Sequence, residues 1–178
     1  VSKYLCRWCE LPWSSRVCVD SSDAESTVEN VSDRKVAETM LETFMNAEGR
    51  IIVACVASNI LRIQQVINAA YESGRKIFLT GSELEEIVNI ALSLNKLTVP
   101  DKELIVNFNQ MKKLADDELV ILETGNAGEP IKALQKMALG RHRQVNLHEG
   151  DLVYIATTPS VAMETQIART KDLIYRAD

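Results

Sequence analysis

The stretch VILETGNAGEPIKALQKMA (Val120 to Ala138) passes from an apolar run to a helix pattern through Thr124-Gly125-Asn126, with Gly128 and Glu129 close behind. Where a strand hands over to a helix, small polar residues leave backbone N–H groups open beside the partial positive charge of the helix N-terminus. That chemistry suits a phosphate or another anion. Four further strand ends read alike: Asp20-Ser21-Ser22, Ala57-Ser58-Asn59, Thr80-Gly81-Ser82 and Thr157-Thr158-Pro159-Ser160. Helix capping and tight turns select the same residue types. One such turn therefore names no ligand, while five on one edge describe a groove. Gly125 and Gly128 form a G-x-x-G that lacks the G-x-G-x-x-G of a dinucleotide site and the G-K-[ST] of a P-loop.

Other reactive residue types are sparse. His142 and His148 are the only histidines, stand in no H-x-H or H-x-x-x-H pair, and are expected in surface loops without a metal or general-base role. Cys6 and Cys9 form a C-x-x-C with no second pair at zinc-ligand spacing, and Cys18 and Cys55 read as small buried residues. Lys132, Lys136, Arg141, His142 and Arg143 make a basic run that could meet a phosphate backbone or form a solvated helix face. Asp20, a carboxylate at a strand's end, faces the groove or caps a turn. No metal ligands are assigned.

The elements that must position these residues follow from the pattern. The runs Arg16–Val19, Ile51–Cys55, Lys76–Thr80, Leu119–Thr124 and Leu152–Thr157 are apolar at successive positions, as strands covered on both faces should be. Leu104–Val106 is a weaker candidate. Helices are expected from Ser32 to Glu48 with Gly49 as a stop, from Ser58 to Ser73 before Gly74, and from Ser82 to Asn95 with Ser82 and Glu85 in capping-box spacing. Two more cover Pro130 to Leu139, stopped by Gly140, and Ala162 to Arg176. Strand and helix in alternation imply an α/β fold: a three-layer parallel sheet with helices on both faces, flavodoxin- or Rossmann-like. Residues 16–178 read as one domain, and residues 1–15 as a connector or a foreign segment. The net charge of −5 on 178 residues argues against a chain built wholly as a nucleic-acid grip, but leaves room for a local basic patch. No apolar run reaches the roughly 18 residues of a membrane span and no signal-peptide pattern opens the chain, so a cytoplasmic protein without a membrane partner is expected.

Several blocks carry a resemblance. ACVASNILRIQQVINAA, TGNAGEPIKALQKMA, HRQVNLHEGDLVYIATTP and RTKDLIYRA resemble, in order, blocks of the β-CASP domain of the bacterial ribonuclease J family. VDSSDAE (Val19 to Glu25) is similar to that family's S-D-S-T-N-A-E block. The resemblance covers roughly Val17 to Ala177. It implies an α/β insert in a metallo-β-lactamase enzyme that cleaves RNA endonucleolytically and from the 5′ end, favouring a 5′-monophosphate. It also implies two divalent metals, zinc or manganese, for the parent enzyme, held by an H-x-H-x-D-H motif that this chain does not contain. Asp20 would then be the family's acidic motif in a supporting role, with no histidine here to orient. Ser58, Asn59, Gly125, Asn126, Gly128, Glu129 and Thr158 would lie along RNA and its 5′-phosphate. Residues 1–15 would come from the metallo-β-lactamase side, and the domain would be incomplete at its C-terminal side. The chain by itself is expected to bind no catalytic metal and to cleave nothing.

Three departures fall on one edge. Val56 replaces the aromatic of F-A-S-N, so a base-stacking surface is lost. Asn126-Ala127 replaces the polar pair of G-S-Q-G-E-P, and Thr158 to Glu164 replaces S-P-I-P-G-N-E. These changes resemble the second, weakly active paralogue of the family. Implied partners are RNA, the metallo-β-lactamase lobe of the parent chain and a ribonuclease J paralogue, as a homo- or hetero-oligomer. A non-catalytic paralogue or assembly subunit is the alternative, and a free-standing module for a small nucleotide would require the matching blocks to be accidental.

Overall fold

The computed structural model describes residues 33–81, 84–126, 128–156 and 161–176. Helix α1 spans Asp33–Asn46, β1 Ile51–Val56, α2 Ile60–Glu72, β2 Lys76–Gly81 and α3 Leu84–Ser93. Then come β3 (Ile105–Val106), α4 (Phe108–Met111), β4 (Leu119–Gly125), α5 (Glu129–Ala138), β5 (Leu152–Ile155) and α6 (Val161–Tyr175). The five strands form one sheet in the order β3-β2-β4-β1-β5, and every pairing is parallel. The expected strand at Arg16–Val19 and the expected caps Ser32 and Ser82 lie outside the described residues.

Central strands are apolar over most of their length because both their faces are covered. On one face Val53, Cys55, Val120 and Leu122 pack with Met40 and Phe44 of α1, Ile63, Val66, Ile67 and Ala70 of α2, and Leu84, Val88 and Ala91 of α3. On the other, Ile52, Ala54, Phe78 and Ile121 pack with Leu134 and Met137 of α5 and with Met111 and Val145. Helix α6 joins α5, with Gln135 Nε2 donating to Thr170 Oγ1 at 2.8 Å. The three layers expected from the alternation are present, and no helix among the described residues is long and apolar enough to cross a membrane.

One expected stop works differently. Helix α1 ends at Asn46, and Gly49 does not have the positive φ that Gly74 (72°) and Gly140 (65°) use behind α2 and α5. Gly49 instead permits a close approach, because a Cβ there would lie 2.1 Å from the Gly150 carbonyl oxygen. The end of α1 is satisfied by Arg75, 4% exposed, whose guanidinium donates to the carbonyls of Phe44 (3.2 Å), Gly49 (2.9 Å) and Ala47. A planar fork of five donors suits a helix end whose last carbonyls lack intrahelical partners.

Between α5 and β5, residues 141–151 run along the second face as a strap. At its far end Arg50 clamps Asp151 bidentately, Nε to Oδ1 at 2.8 Å and Nη2 to Oδ2 at 2.6 Å, and the same Nη2 donates to the Asn146 carbonyl at 3.0 Å. The His148 N–H donates to Asp151 Oδ2 at 3.0 Å. A buried pair with its remaining lone pairs used in this way fixes geometry, as an exposed pair would not.

Candidate functional site

The register Val56↔Gly125 brings the carboxyl ends of β1 and β4 side by side. From β1 the chain leaves through Ala57-Ser58-Asn59 into α2, which packs on the first face; from β4 it leaves through Asn126 to Gly128 into α5, which packs on the second. Neighbouring strands whose following helices diverge to opposite faces open a crevice at their carboxyl ends, where parallel sheets bind ligands. The two turns are tied by the Ala57 N–H, which donates to the Gly125 carbonyl at 3.0 Å.

Each turn also spends polar groups on itself. Helix α2 begins at Ile60, two residues later than expected, because Asn59 caps it: the Asn59 Oδ1 accepts the Arg62 N–H at 3.0 Å. Ser58 is exposed in the turn. In the second turn the Glu129 Oε2 accepts the Asn126 N–H at 2.7 Å, while the Glu129 N–H donates to the Asn126 carbonyl at 2.9 Å. Gly125 makes this possible, since a Cβ there would lie 2.6 Å from Glu129 Oε2. Gly128 stands at φ 87°, the left-handed region that favours glycine, immediately before α5. The structure thus brings Ser58, Asn59, Gly125, Asn126, Gly128 and Glu129 to one edge. Asp20 and Thr158 lie outside the described residues.

Beneath the crevice sits a residue that belongs to none of the motifs named from the sequence. Glu123, in the middle of β4, is 3% exposed and its Oε2 has no hydrogen-bond partner. Burial pushes its carboxyl up to about 7; the Thr80 hydroxyl pulls down, the charge of Glu129 up and that of Lys136 down. His142 was expected in a surface loop, but its side chain is 13% exposed and its Nε2 stands 3.9 Å from Glu123 Oε2. The strap folds back over the sheet, which a local pattern of basic residues could not reveal. The imidazole Nδ1 accepts N–H bonds from Val145 (3.2 Å) and Gln144 (3.4 Å), so the neutral ring carries its proton on Nε2, facing the carboxyl. Burial also holds His142 below its ordinary range. His148, by contrast, is half-exposed as expected.

On the first face, Cys55 is a buried free thiol pushed up to about 12 by burial, which the nearby Arg62 charge offsets only in part. It is a packing residue and not a nucleophile. Arg62 donates from Nη1 to Gln65 Oε1 at 2.6 Å. Among the described residues no group of three or more His, Cys, Asp or Glu is gathered to hold a metal ion. The described donor set therefore does not fit the two-metal centre that the resemblance implies for the parent enzyme.

Comparison with known proteins agrees with this architecture. Residues 48–174 match the family described as Ribonuclease J, beta-CASP domain. Over 158 residues, 89% of this chain, the sequence is 51% identical to a protein named Ribonuclease J 2 from Streptococcus pyogenes, of which that stretch is 29%. It is 38% identical over the same share to proteins named Ribonuclease J 2 from Staphylococcus epidermidis and Staphylococcus aureus, covering 28% of each. The chain thus spans less than a third of the length of these relatives. With its parallel sheet, helices on both faces and a family match across most of its length, the chain belongs to the ribonuclease J family and carries that family's β-CASP domain.

Proposed function

We propose that this domain lies along RNA in a metal-dependent ribonuclease of RNA processing and decay in the cytoplasm, lending its crevice to the strand and the 5′-phosphate while another lobe cuts. The observation that supports the reading most directly is the divergence of α2 and α5 from adjacent strand ends, which places Ser58, Asn59, Asn126 and Gly128 on one crevice. The resemblance supplies the rest: a metallo-β-lactamase lobe as neighbour, two zinc or manganese ions held there, and a ribonuclease J paralogue as partner.

A second reading, a non-catalytic or assembly paralogue, is favoured by one specific contact. The Asn126 amide, placed to meet an anion, is already held by the Glu129 carboxylate. A negative charge at that point works against phosphate. Binding of short 5′-monophosphorylated and 5′-hydroxyl RNAs of one sequence to the 178-residue chain separates the two readings. The first expects the monophosphate to bind more tightly, with a gap that narrows as salt rises. Equal binding supports the second, and absence of RNA binding removes the first.

A further inference from the structure

At the carboxyl end of β2 an open cleft of about 700 Å³ has Leu79, Thr80, Gly81, Leu84, Glu86 and Gln144 among its lining residues. Across one wall the Thr80 hydroxyl donates to Gln144 Oε1 at 2.9 Å. Thr80 is also the register partner of Glu123 on the neighbouring strand, and its hydroxyl acts on that carboxyl, pulling its titration down. A hydroxyl has one proton to give. It can serve Gln144 or a carboxylate, not both.

We propose that Glu123, Thr80 and Gln144 form a proton-operated relay that closes and opens this wall of the cleft. When Glu123 is protonated it needs no donor, and Thr80 holds the exposed Gln144 side chain against β2. When Glu123 loses its proton to solvent, a buried carboxylate with an unpartnered oxygen draws the Thr80 hydroxyl to itself, and Gln144 is released. The strap does not leave with it. The proton on His142 Nε2 faces the new charge across 3.9 Å, and Val145 and Gln144 still anchor the ring through Nδ1.

Among the described residues, Thr80, Glu129 and Lys136 act on the Glu123 carboxyl and His142 faces it. The Cys55 thiol of β1, on the opposite face, is kept neutral by burial, and Thr80 of β2 is uncharged. Glu129 and Lys136 on α5 act in opposite directions, and His142 on the strap is held below its ordinary range. With the carboxyl pushed up to about 7, the exchange falls near neutral pH, on the alkaline side of the His142 titration.

The test is nuclear magnetic resonance of the 178-residue chain from pH 5.5 to about 8.5, following the Glu123 carboxyl carbon and the Gln144 side-chain amide. The relay requires both signals to move with one shared midpoint near neutral pH. Thr80→Val should leave Glu123 titrating there or higher while the Gln144 response disappears, and Glu123→Gln should leave Gln144 flat across the range. The proposal is overturned if Gln144 does not respond in the wild type, if it responds equally in either variant, or if Glu123 titrates in the ordinary carboxyl range. Each variant alone suffices for the decision should the other not fold.

Discussion

Glu129 and Asn126 close their turn from both sides, carboxylate to amide at 2.7 Å and amide to carbonyl at 2.9 Å, with Gly125 packed beneath. The contact supplies the turn's rigidity and also places a negative charge on the edge proposed to meet RNA. Glu129→Gln keeps an acceptor of the same shape and removes the charge. RNA affinity at low salt should rise by roughly two- to fivefold, and the gain should fade above about 0.3 M salt as screening shortens the reach of the charge. Fluorescence anisotropy with a labelled oligonucleotide checks this.

Gly125→Ala should fail by crowding. Its Cβ would lie 2.6 Å from Glu129 Oε2 and 2.8 Å from Glu129 Cβ, and the second atom has little freedom to move. A cost of about 1–3 kcal/mol is expected, as for overpacking elsewhere, read as a lowered urea midpoint with an unchanged slope.

Arg75 holds three carbonyls behind α1 from a buried position. Arg75→Met removes all the donors and leaves those carbonyls without them, for a loss of about 2–4 kcal/mol. The amide exchange of α1 should accelerate before that of β1 and β4.

Glu123 makes stability depend on pH. Its folded value of about 7 lies above the ordinary 4.5, so the folded chain holds a proton that the unfolded chain releases between those values. Stability is therefore fullest below the unfolded value and falls as pH rises to the folded value. The loss totals about 3 kcal/mol and levels off above it. His142, held below its ordinary value, works in the opposite sense, gaining stability as pH rises towards 6.5. Urea denaturation from pH 5 to about 8 should show a fall in the wild type that Glu123→Gln abolishes, leaving the His142 rise.

Much of this architecture was readable in the chain. β1, β2 and β4 announced themselves because strands covered on both faces must be apolar at successive positions, and Gly74 and Gly140 marked helix ends by the φ they supply. The two-residue β3 is too short for any pattern to be strong. Glu123 was legible in principle: an acid inside the run LVILET must be buried and answered by something, and that signal was passed over. His142 was not legible, since its burial depends on the strap returning over β4, a relation between distant segments. The role of Arg75 likewise depends on α1 lying beside it, a relation between distant segments that no local pattern carries. At Ala57-Ser58-Asn59 and Thr124-Gly125-Asn126 the sequence located the turns, but which amides they leave open depends on the Asn59 and Glu129 side chains.

The measurement that bears most directly on the proposed function is amide chemical-shift mapping of the 178-residue chain with a short 5′-monophosphorylated RNA. The largest shifts are expected at Ser58, Asn59, Asn126 and Gly128, along the crevice where α2 and α5 part. Shifts confined to the amino edge of the sheet around Arg50 and Asp151, or none at saturating RNA, would contradict it.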